Sequence, residues 1–378
     1  MEFELSEEHK ALKELARKFA QKELSPLAAE RDEKEEFSRE TFNKMADLGF
    51  AGMFCPEEYG GTNVGFVGAV GVFLELAKAC GSSAGTLAVH ALIQDPIARH
   101  GTDAQKSRYL PPMTDGRLMG AFAITEPGAG SDAGSLQTSA RREGDAYMLN
   151  GTKIFITSGG EADLYLVMAK TDKTLGARGV SAFLVEKGTP GFNFGKKEKK
   201  MGLRASPTRE LIFEGCRVPA ANRIGDEGRG FHVAMGALDG GRITTSCVNL
   251  GPAMAAMENA ISYSKTRTQF GKPICEFQAI RFSFADMATQ LQAAKWMVYH
   301  AAYLMDQKLP ATQACSMAKL FATEAAFQVC HRALQVFGGY GYTKDYPMER
   351  YFRDTRLGLI VEGTSEIQKM VIARSILQ

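Results

Sequence analysis

The sequence predicts an α+β protein in which a β-rich segment separates two helical segments. Apolar residues follow helical spacing from residue 6 to about 115, and this spacing returns after Gly230. From about 118 to 225, short β-rich runs are bounded by Gly, Asn or Pro. We therefore predict three domains: an N-terminal α-helical domain at 1–117, a middle β domain at 118–228 and a C-terminal helical bundle domain at 229–378.

The N-terminal segment begins with two predicted helices. Ser6 is the expected N-cap of the first helix, and Gly49 is expected to end the second. Pro111-Pro112 and Asp115-Gly116 predict the chain break that closes this segment.

The turn residues of the later segments predict one hairpin and several long helices. Asn150-Gly151 lies between two strand-like runs, a pair typical of two-residue hairpin turns. After Gly230, Gly and Pro residues separate predicted helices at about 231–265, 277–307, 311–337 and 364–377.

The composition is that of an ordinary globular protein and excludes several function classes. Of 378 residues, 45% are hydrophobic and 23% charged, and the net charge of +2 indicates no nucleic-acid partner. Seven cysteines without a Cys-x-x-Cys pair predict reduced thiols in a cytoplasmic protein. No apolar run is long enough for a membrane helix, and the acidic N-terminus does not resemble a signal peptide. The six dispersed histidines show no metal-ligand spacing, so we predict no metal site.

Glu362 stands out because it follows the apolar residues Leu359, Ile360 and Val361 and precedes Gly363. A carboxylate beside an apolar run loses solvation, which raises its pKa. The pattern fits two interpretations: Glu362 caps the start of the last helix, or it is a base held in an apolar pocket.

Two glycine clusters are candidate ligand sites. The cluster at 125–135 is one residue off the dinucleotide fingerprint and lies among strands, which argues against a Rossmann fold. Its glycines fit either a close approach of backbone amides to a ligand or a flexible turn. The cluster at 335–342 follows a long predicted helix, so a helix stop is the alternative to a ligand contact.

Six motifs, in order along the chain, resemble those of the acyl-CoA dehydrogenase family. They are AFAITEPGAGSDAGS, KIFITSGG, LDGGRI, TRTQFGKPICEFQ, QVFGGYGYTKDYPMERYFRD and VEGTSEIQ. The resemblance covers nearly the whole chain, and LDGGRI is most similar to the short-chain (butyryl-CoA) enzymes. It implies the family fold: an N-terminal helical domain, a middle β domain with a barrel-like or sandwich sheet, and a C-terminal four-helix bundle.

The resemblance implies an FAD-dependent enzyme that converts an acyl-CoA thioester to the trans-2-enoyl-CoA. Glu362 matches the family's catalytic base, which takes the α proton while flavin N5 takes the β hydride. An apolar wall suits such a base because it raises the pKa of the carboxyl toward neutrality. Some members carry the base on a different helix, and the matching position here is Gly241, so the resemblance leaves Glu362 as the base.

The resemblance also assigns contacts to FAD and to the substrate. The FAD contacts are Phe122, Ile124, Thr125, Ser131, Phe155, Ile156, Thr157, Arg267, Phe270, Gln278, Gln335, Gly338, Gly339, Thr364 and Glu366. The substrate contacts are Ser131, Asp239, Arg242 and Gly363. The group from Arg267 to Gly339 resembles contacts made to the FAD of a neighbouring subunit, with Arg267 on the pyrophosphate.

The chain departs from the family pattern beside the base. Many members have Tyr immediately before the base, where this chain has Val361, and many have Trp where it has Phe155. The motif LDGGRI favours a short-chain or short branched acyl-CoA. No arginine occurs between Lys78 and Pro96, where glutaryl-CoA enzymes carry one, so a dicarboxylyl substrate is disfavoured.

The resemblance further implies partners, a pathway and a location. The expected electron acceptor is electron-transferring flavoprotein, the expected assembly is a homotetramer, and the expected pathway is fatty acid β-oxidation. The location is expected to be cytoplasmic, or the mitochondrial matrix for a mature chain. An oxidase that passes electrons to oxygen and a non-enzymatic member that binds another macromolecule are the alternatives. The family's oxidases are much longer than this chain, and a non-enzymatic member would be expected to lose the base.

Overall fold

The computed structural model describes residues 4–377, and its N-terminal part is helical as expected. Helix α1 (Glu7–Phe19) begins at Ser6, whose Oγ accepts a hydrogen bond from the N–H of His9 at 3.2 Å. Helices α2 (Ala28–Lys34) and α3 (Arg39–Asp47) follow. Gly49, with φ of 80°, ends the second predicted helix.

Two central helices fill the core of this part. Helix α4 (Gly65–Ala79) is buried on most faces, and α5 (Gly81–His100) packs beside it. Helix α6 (Asp103–Thr114) starts at a capping box formed by Thr102 and Gln105. The prediction that Pro111-Pro112 break the chain was wrong. Both prolines lie in the last turn of α6, because their fixed φ near −65° is helical, and the break comes at Gly116 with φ of 81°.

An eight-stranded mixed sheet forms the middle of the protein. The strand order is β6-β7-β3-β2-β4-β5-β8, and β1 pairs in parallel with β4. The strands are β1 (Gly120–Ala123), β2 (Ser139–Glu143), β3 (Ala146–Thr157), β4 (Leu164–Lys170), β5 (Val180–Glu186), β6 (Phe192–Lys197), β7 (Thr208–Pro219) and β8 (Arg223–Ile224).

The predicted hairpin at Asn150-Gly151 was wrong. This pair lies inside β3, at a register shift opposite β7, and the β2–β3 turn is made by Gly144 with φ of 60°. A Cβ on Gly151 would lie 2.5 Å from Oγ1 of Thr138, so glycine is required here by a close approach of two chain segments. Asn150 accepts a hydrogen bond from the N–H of Gly215 at 2.8 Å.

The C-terminal part is a helical bundle, and its four predicted helices are confirmed. They are α7 (Gly230–Thr266), α8 (Gln278–Asp306), α9 (Thr312–Phe337) and α12 (Ser365–Leu377). A short hairpin of β9 (Thr268–Gln269) and β10 (Lys272–Pro273) joins α7 to α8. Two further helices, α10 (Gly339–Tyr342) and α11 (Met348–Arg356), were not predicted.

The packing brings distant segments to one place. Helix α7 packs against α5 on one side and α9 on the other, and α12 packs against α9. The loop before α12 therefore reaches the N-terminal half of α7, where the LDGGRI motif lies.

Candidate active site

Glu362 lies in a tight turn between the 3-10 turn Leu357–Leu359 and α12. Glu362 has φ of 56° and Gly363 has φ of 87°, so both residues adopt left-handed backbone conformations. A glutamate in this conformation is strained, and such strain is common at functional sites. Thr364 caps α12, because its Oγ1 accepts from the N–H of Ile367 at 3.3 Å. The interpretation of Glu362 as the helix cap was therefore wrong.

The Glu362 carboxyl has one oxygen sealed from solvent. Oε2 is buried and has no hydrogen-bond partner among the described residues. Burial raises the pKa of Glu362 to about 7, although the positive charges of Arg242 and Lys319 act in the opposite direction. A carboxylate with these properties can exchange a proton near neutral pH.

Gly241 faces this carboxyl from the N-terminal third of α7. A Cβ at position 241 would lie 2.6 Å from Oε2 of Glu362 and 2.8 Å from Cδ2 of Leu92. Glycine therefore leaves the space that the carboxyl occupies, and the two positions at which the resemblance predicts a base in different family members adjoin each other here.

Arg242, the next residue on α7, is buried and paired with Asp239. Asp239 also accepts a hydrogen bond from Oγ1 of Thr312 at 2.6 Å. The pairing holds Arg242 close enough to lower the pKa of Glu362, while its Nε is buried without a partner. Two of the four predicted substrate contacts, the buried Arg242 and the partly buried Asp239, therefore form an ion pair beside the proposed base.

A narrow cavity of about 10 Å³ extends from Gly241 between α5 and α7. Asp95 is the one acidic residue in its lining and forms a salt bridge of 2.6 Å with Arg99 on the outer side of α5. Burial raises the pKa of Asp95, and Arg99 opposes that rise. The lining residues are Phe54, Phe66, Ala88, Ala91, Leu92, Asp95, Ala237, Gly240, Gly241 and Thr244.

The predicted flavin contacts of the middle domain come from two segments that meet. The N–H of Ile154 donates to the carbonyl of Thr125 at 3.0 Å, which links the segment 122–125 to strand β3. The side chains of Phe122 and Ile124 are each 9% exposed. Ser131 lies on the exposed loop that follows.

Phe155 is turned out of its strand. A register shift between Lys153 and Ile156 marks a bulge, and Phe155 has φ of 57° with a ring that is 61% exposed. Ile156 is buried, so its side chain faces the core, and Thr157 is half-buried. An exposed aromatic ring held by backbone strain is suited to stacking on a planar ligand.

A buried ion pair that the sequence analysis missed supports this surface. Nζ of Lys153 donates to Oε1 of Glu126 at 2.8 Å and to the carbonyl of Ile124 at 3.0 Å. Glu126 also accepts from the N–H groups of Gln137 and Thr138 at 2.5 and 2.9 Å. The only local signal for Lys153 is that it directly precedes the apolar residues Ile154, Phe155 and Ile156.

Two further residues that the sequence analysis missed hold the turn of the proposed base. Lys319 donates to the carbonyl of Gly363 at 2.7 Å, and Gln368 donates to the carbonyls of Glu362 and Gly363 at 2.8 and 3.0 Å. A lysine within the apolar run around MAKLF is again the only local signal.

The remaining predicted FAD contacts form a separate group. Arg267, Gln335, Gly338 and Gly339 line one cavity of about 660 Å³ near the end of α7. Phe270, which is 93% exposed, and Gln278 lie on the adjoining hairpin and at the start of α8, outside the cavity lining. None of the predicted flavin contacts of the middle domain lines this cavity.

The residues present fit FAD at both places. The exposed ring of Phe155 offers a stacking wall, and a Cβ on Gly128 or Gly130 would meet nothing within 4 Å, so the glycine loop borders open space. The cavity of about 660 Å³ has the size of a ligand pocket and carries the exposed Arg267, whose guanidinium suits a pyrophosphate.

Residues 4–377 contain neither a metal-binding cluster nor a membrane-spanning helix. No group of three or more His, Cys, Asp or Glu is arranged to hold a metal ion. None of the helices in that range has the length and apolar character that a bilayer span requires.

Three family models match successive parts of the chain. All three describe acyl-CoA dehydrogenases: the N-terminal domain matches residues 6–117, the middle domain matches residues 121–216, and the C-terminal domain matches residues 228–377.

The chain also resembles individual proteins along its whole length. It is 48% identical to an acryloyl-CoA reductase (NADH) of Anaerotignum propionicum, a match that covers 100% of this chain and 96% of the relative. A chain solved in work on the electron transferring flavoprotein of Acidaminococcus fermentans and flavin-based electron bifurcation superposes with a TM-score of 0.99 at 47% identity. Butyryl-CoA dehydrogenase of Megasphaera elsdenii superposes with a TM-score of 0.98 at 44% identity, and both structural matches cover 100% of each chain. The chain therefore belongs to the acyl-CoA dehydrogenase family of FAD-dependent oxidoreductases.

Proposed function

We propose that this acyl-CoA dehydrogenase oxidises a short-chain acyl-CoA to the trans-2-enoyl-CoA and that Glu362 is its catalytic base. The observation that carries the proposal is the unpartnered, buried Oε2 of Glu362, which lies against Gly241. A base that must take a weakly acidic carbon-bound proton works best when its pKa lies near the working pH. The pKa of Glu362, at about 7, meets this condition.

The chain's own groups account for the movement of the proton. Oε2 of Glu362 takes the α proton, and the negative charge left on the substrate spreads into the thioester carbonyl. The N–H of Glu362 donates no hydrogen bond within residues 4–377, so it is free to donate to that carbonyl oxygen. The apolar lining of the cavity keeps water from the developing charge.

FAD, when bound, supplies the flavin N5 that accepts the β hydride. Phe122, Ile124, Thr125, Phe155 and Thr157 would hold its ring system. We propose that Arg267, with Gln335, Gly338 and Gly339, holds the pyrophosphate of the FAD in a neighbouring subunit. The support is that these residues line a cavity that contains none of the middle-domain contacts.

The side chains packed beside Gly241 disfavour a long acyl group, because they leave a cavity of only about 10 Å³, close to the size of one water molecule. The rings of Phe54 and Phe66, which are tilted to each other with centroids 4.6 Å apart, border this cavity, and Asp95, paired with Arg99, also lines it. An alkyl chain that reached this salt bridge would desolvate charged groups, which is unfavourable. Val361, smaller than the tyrosine of many relatives, leaves room for a branch near the base, so short branched substrates are included in the proposal.

The proposal includes electron-transferring flavoprotein as electron acceptor and a homotetramer as the assembly. The relative solved in work on that flavoprotein supports the acceptor. Exposed aromatic rings on α8, including Phe282 at 61% and Tyr303 at 53%, support association between subunits. The domain boundaries at 117/118 and 228/229 and the location in cytoplasm or mitochondrial matrix belong to the same proposal.

The reverse reaction is a second candidate, favoured by the 48% identical acryloyl-CoA reductase. In that direction Glu362 would return its proton to the α carbon of an enoyl-CoA. Supplying purified enzyme with NADH, electron-transferring flavoprotein and acryloyl-CoA, and comparing the rate with butyryl-CoA oxidation, distinguishes the two directions.

The proposed role of Glu362 is tested with Glu362→Gln. We expect this variant to keep its FAD absorbance and to show no flavin bleaching with butyryl-CoA under anaerobic conditions. Glu324→Gln, which removes a carboxylate that is 44% exposed, is the control and should bleach like the unaltered enzyme. Substantial bleaching of Glu362→Gln would contradict the assignment. The same titration with straight, branched and aromatic acyl-CoAs tests the chain-length proposal.

A further inference from the structure

The turn that carries Glu362 is held by two side chains from outside the turn. Nζ of Lys319, on α9, donates to the carbonyl of Gly363 at 2.7 Å. Nε2 of Gln368, on α12, donates to the carbonyls of Glu362 and Gly363 at 2.8 and 3.0 Å. Because both residues of the turn have positive φ, their carbonyls are available to these donors instead of to a helix.

Lys319 is an unusual residue in this position because its side chain is fully buried. Within residues 4–377 its ammonium makes this one hydrogen bond and no salt bridge. The other fully buried lysine, Lys153, has a carboxylate contact at 2.8 Å, so the two sites differ. An ammonium buried without a contacting carboxylate is costly to the free energy of folding.

We propose that Lys319 is a positioning residue for the base: it fixes the turn at 362–363 and adds its positive charge to that of Arg242 beside Glu362. This inference rests on the proposed function, in which Glu362 takes the α proton. Packing does not require the charge, because a methionine of similar length would fill the same space without a buried ammonium.

The charged groups around the pair support this role. Glu362 is the main negative charge that stabilises the Lys319 ammonium, with smaller effects from Glu324 on α9 and Glu366 on α12. Arg242 on α7 is the other cation near Glu362; it lowers the pKa of Glu362 more than Lys319 does, and its charge is also paired with Asp239 and opposes the charge of Lys319. Lys319 is thus the cation near Glu362 that has no contacting acid.

The titration of the two groups leaves a pH range in which both are charged. Burial lowers the pKa of Lys319 to about 8, and burial raises the pKa of Glu362 to about 7. Each charge also favours the charged form of the other group. Loss of the ammonium would remove its attraction for the carboxylate and raise the pKa of Glu362 further.

The first test is the pH profile of kcat/KM for butyryl-CoA oxidation by the FAD-loaded enzyme. In Lys319→Met we expect the acidic limb to move to higher pH by about one unit, since a nearby opposite charge shifts a pKa by roughly 1–3 units. Lys319→Arg keeps the charge and should leave the limb in place. Lys369→Met removes an exposed charge from α12 and is the matched control. Superposed profiles for Lys319→Met and the unaltered enzyme would overturn the proposal, and so would an equal shift in Lys319→Arg.

A second measurement does not depend on turnover. Glu362→Gln is introduced into the unaltered enzyme and into Lys319→Met, and the free energy of unfolding of all four proteins is measured in denaturant from pH 5 to 9. In each background, the difference caused by Glu362→Gln reports the pKa of Glu362. We expect this difference to go on rising to higher pH in the Lys319→Met background than in the background that retains Lys319. The same pH dependence in both backgrounds would overturn the proposal even if Lys319→Met were inactive. Lys319→Gln replaces Lys319→Met if Lys319→Met does not fold. If Glu362→Gln itself bleached normally, the proposed function would fail instead, which the bleaching assay detects separately.

Discussion

Glu362→Gln is expected to make the protein more stable at neutral pH while it removes activity. The carboxyl is charged at neutral pH in the unfolded chain, but burial disfavours that charge in the folded protein. Its pKa rises from an ordinary 4.5 to about 7, which corresponds to about 3 kcal/mol at ~1.4 kcal/mol per pH unit.

The sign of the pH dependence follows from proton binding. Between pH 4.5 and about 7 the folded state binds more protons at Glu362 than the unfolded state does, so stability falls as the pH rises. Glutamine carries no charge in either state. The stability advantage of Glu362→Gln should therefore be small near pH 5, grow by about 2–3 kcal/mol, and level off near pH 7.5 while Lys319 remains charged.

The assay is denaturant unfolding of the FAD-loaded proteins at one protomer concentration, because assembly and cofactor binding both affect apparent stability. Glu324→Gln is the control for removing a carboxylate from a position that solvent reaches. A stability difference for Glu362→Gln that did not change with pH would refute the inferred burial of the charge.

Two further substitutions test the neighbouring sites. Gly241→Ala places a Cβ 2.6 Å from Oε2 of Glu362 and would displace the carboxyl. We therefore expect kcat to fall about 10- to 100-fold with little change in unfolding temperature. Gly236→Ala, on the same helix with free space around it, is the control. Unchanged kcat in Gly241→Ala would contradict the placement of the carboxyl. Arg267→Ala should lose FAD on gel filtration while circular dichroism stays unchanged, whereas Lys265→Ala should keep its FAD. Full flavin retention in Arg267→Ala would contradict the pyrophosphate contact.

Much of the fold could be predicted because its signals are local. The helical spacing of apolar residues placed the long C-terminal helices to within about two residues, and Ser6 and Gly49 marked helix ends through their own backbone and side-chain chemistry. Short helices such as α10 and α11 were missed because they are held by packing against α9 and each other, which local propensity does not describe.

The wrong hairpin prediction shows the limit of local patterns. Asn150-Gly151 has the composition of a turn, yet pairing with β7 and the closeness of Thr138 keep it inside a strand. The same limit applies to the proposed active site: two buried lysines support its two halves, and neither could be recognised from spacing alone, because a single lysine in an apolar run is more often a surface residue.

The linear chain contains an acid next to an apolar run, two glycine clusters and, in order, six motifs that resemble those of the family. These features pointed to Glu362 and to FAD without any knowledge of distances. Only the folded protein shows that Gly241 leaves the space for the Glu362 carboxyl and that Lys319 reaches the carbonyl of Gly363. The reason is that burial and electrostatic coupling depend on contacts between helices α7, α9 and α12, which are far apart in sequence and meet only through packing.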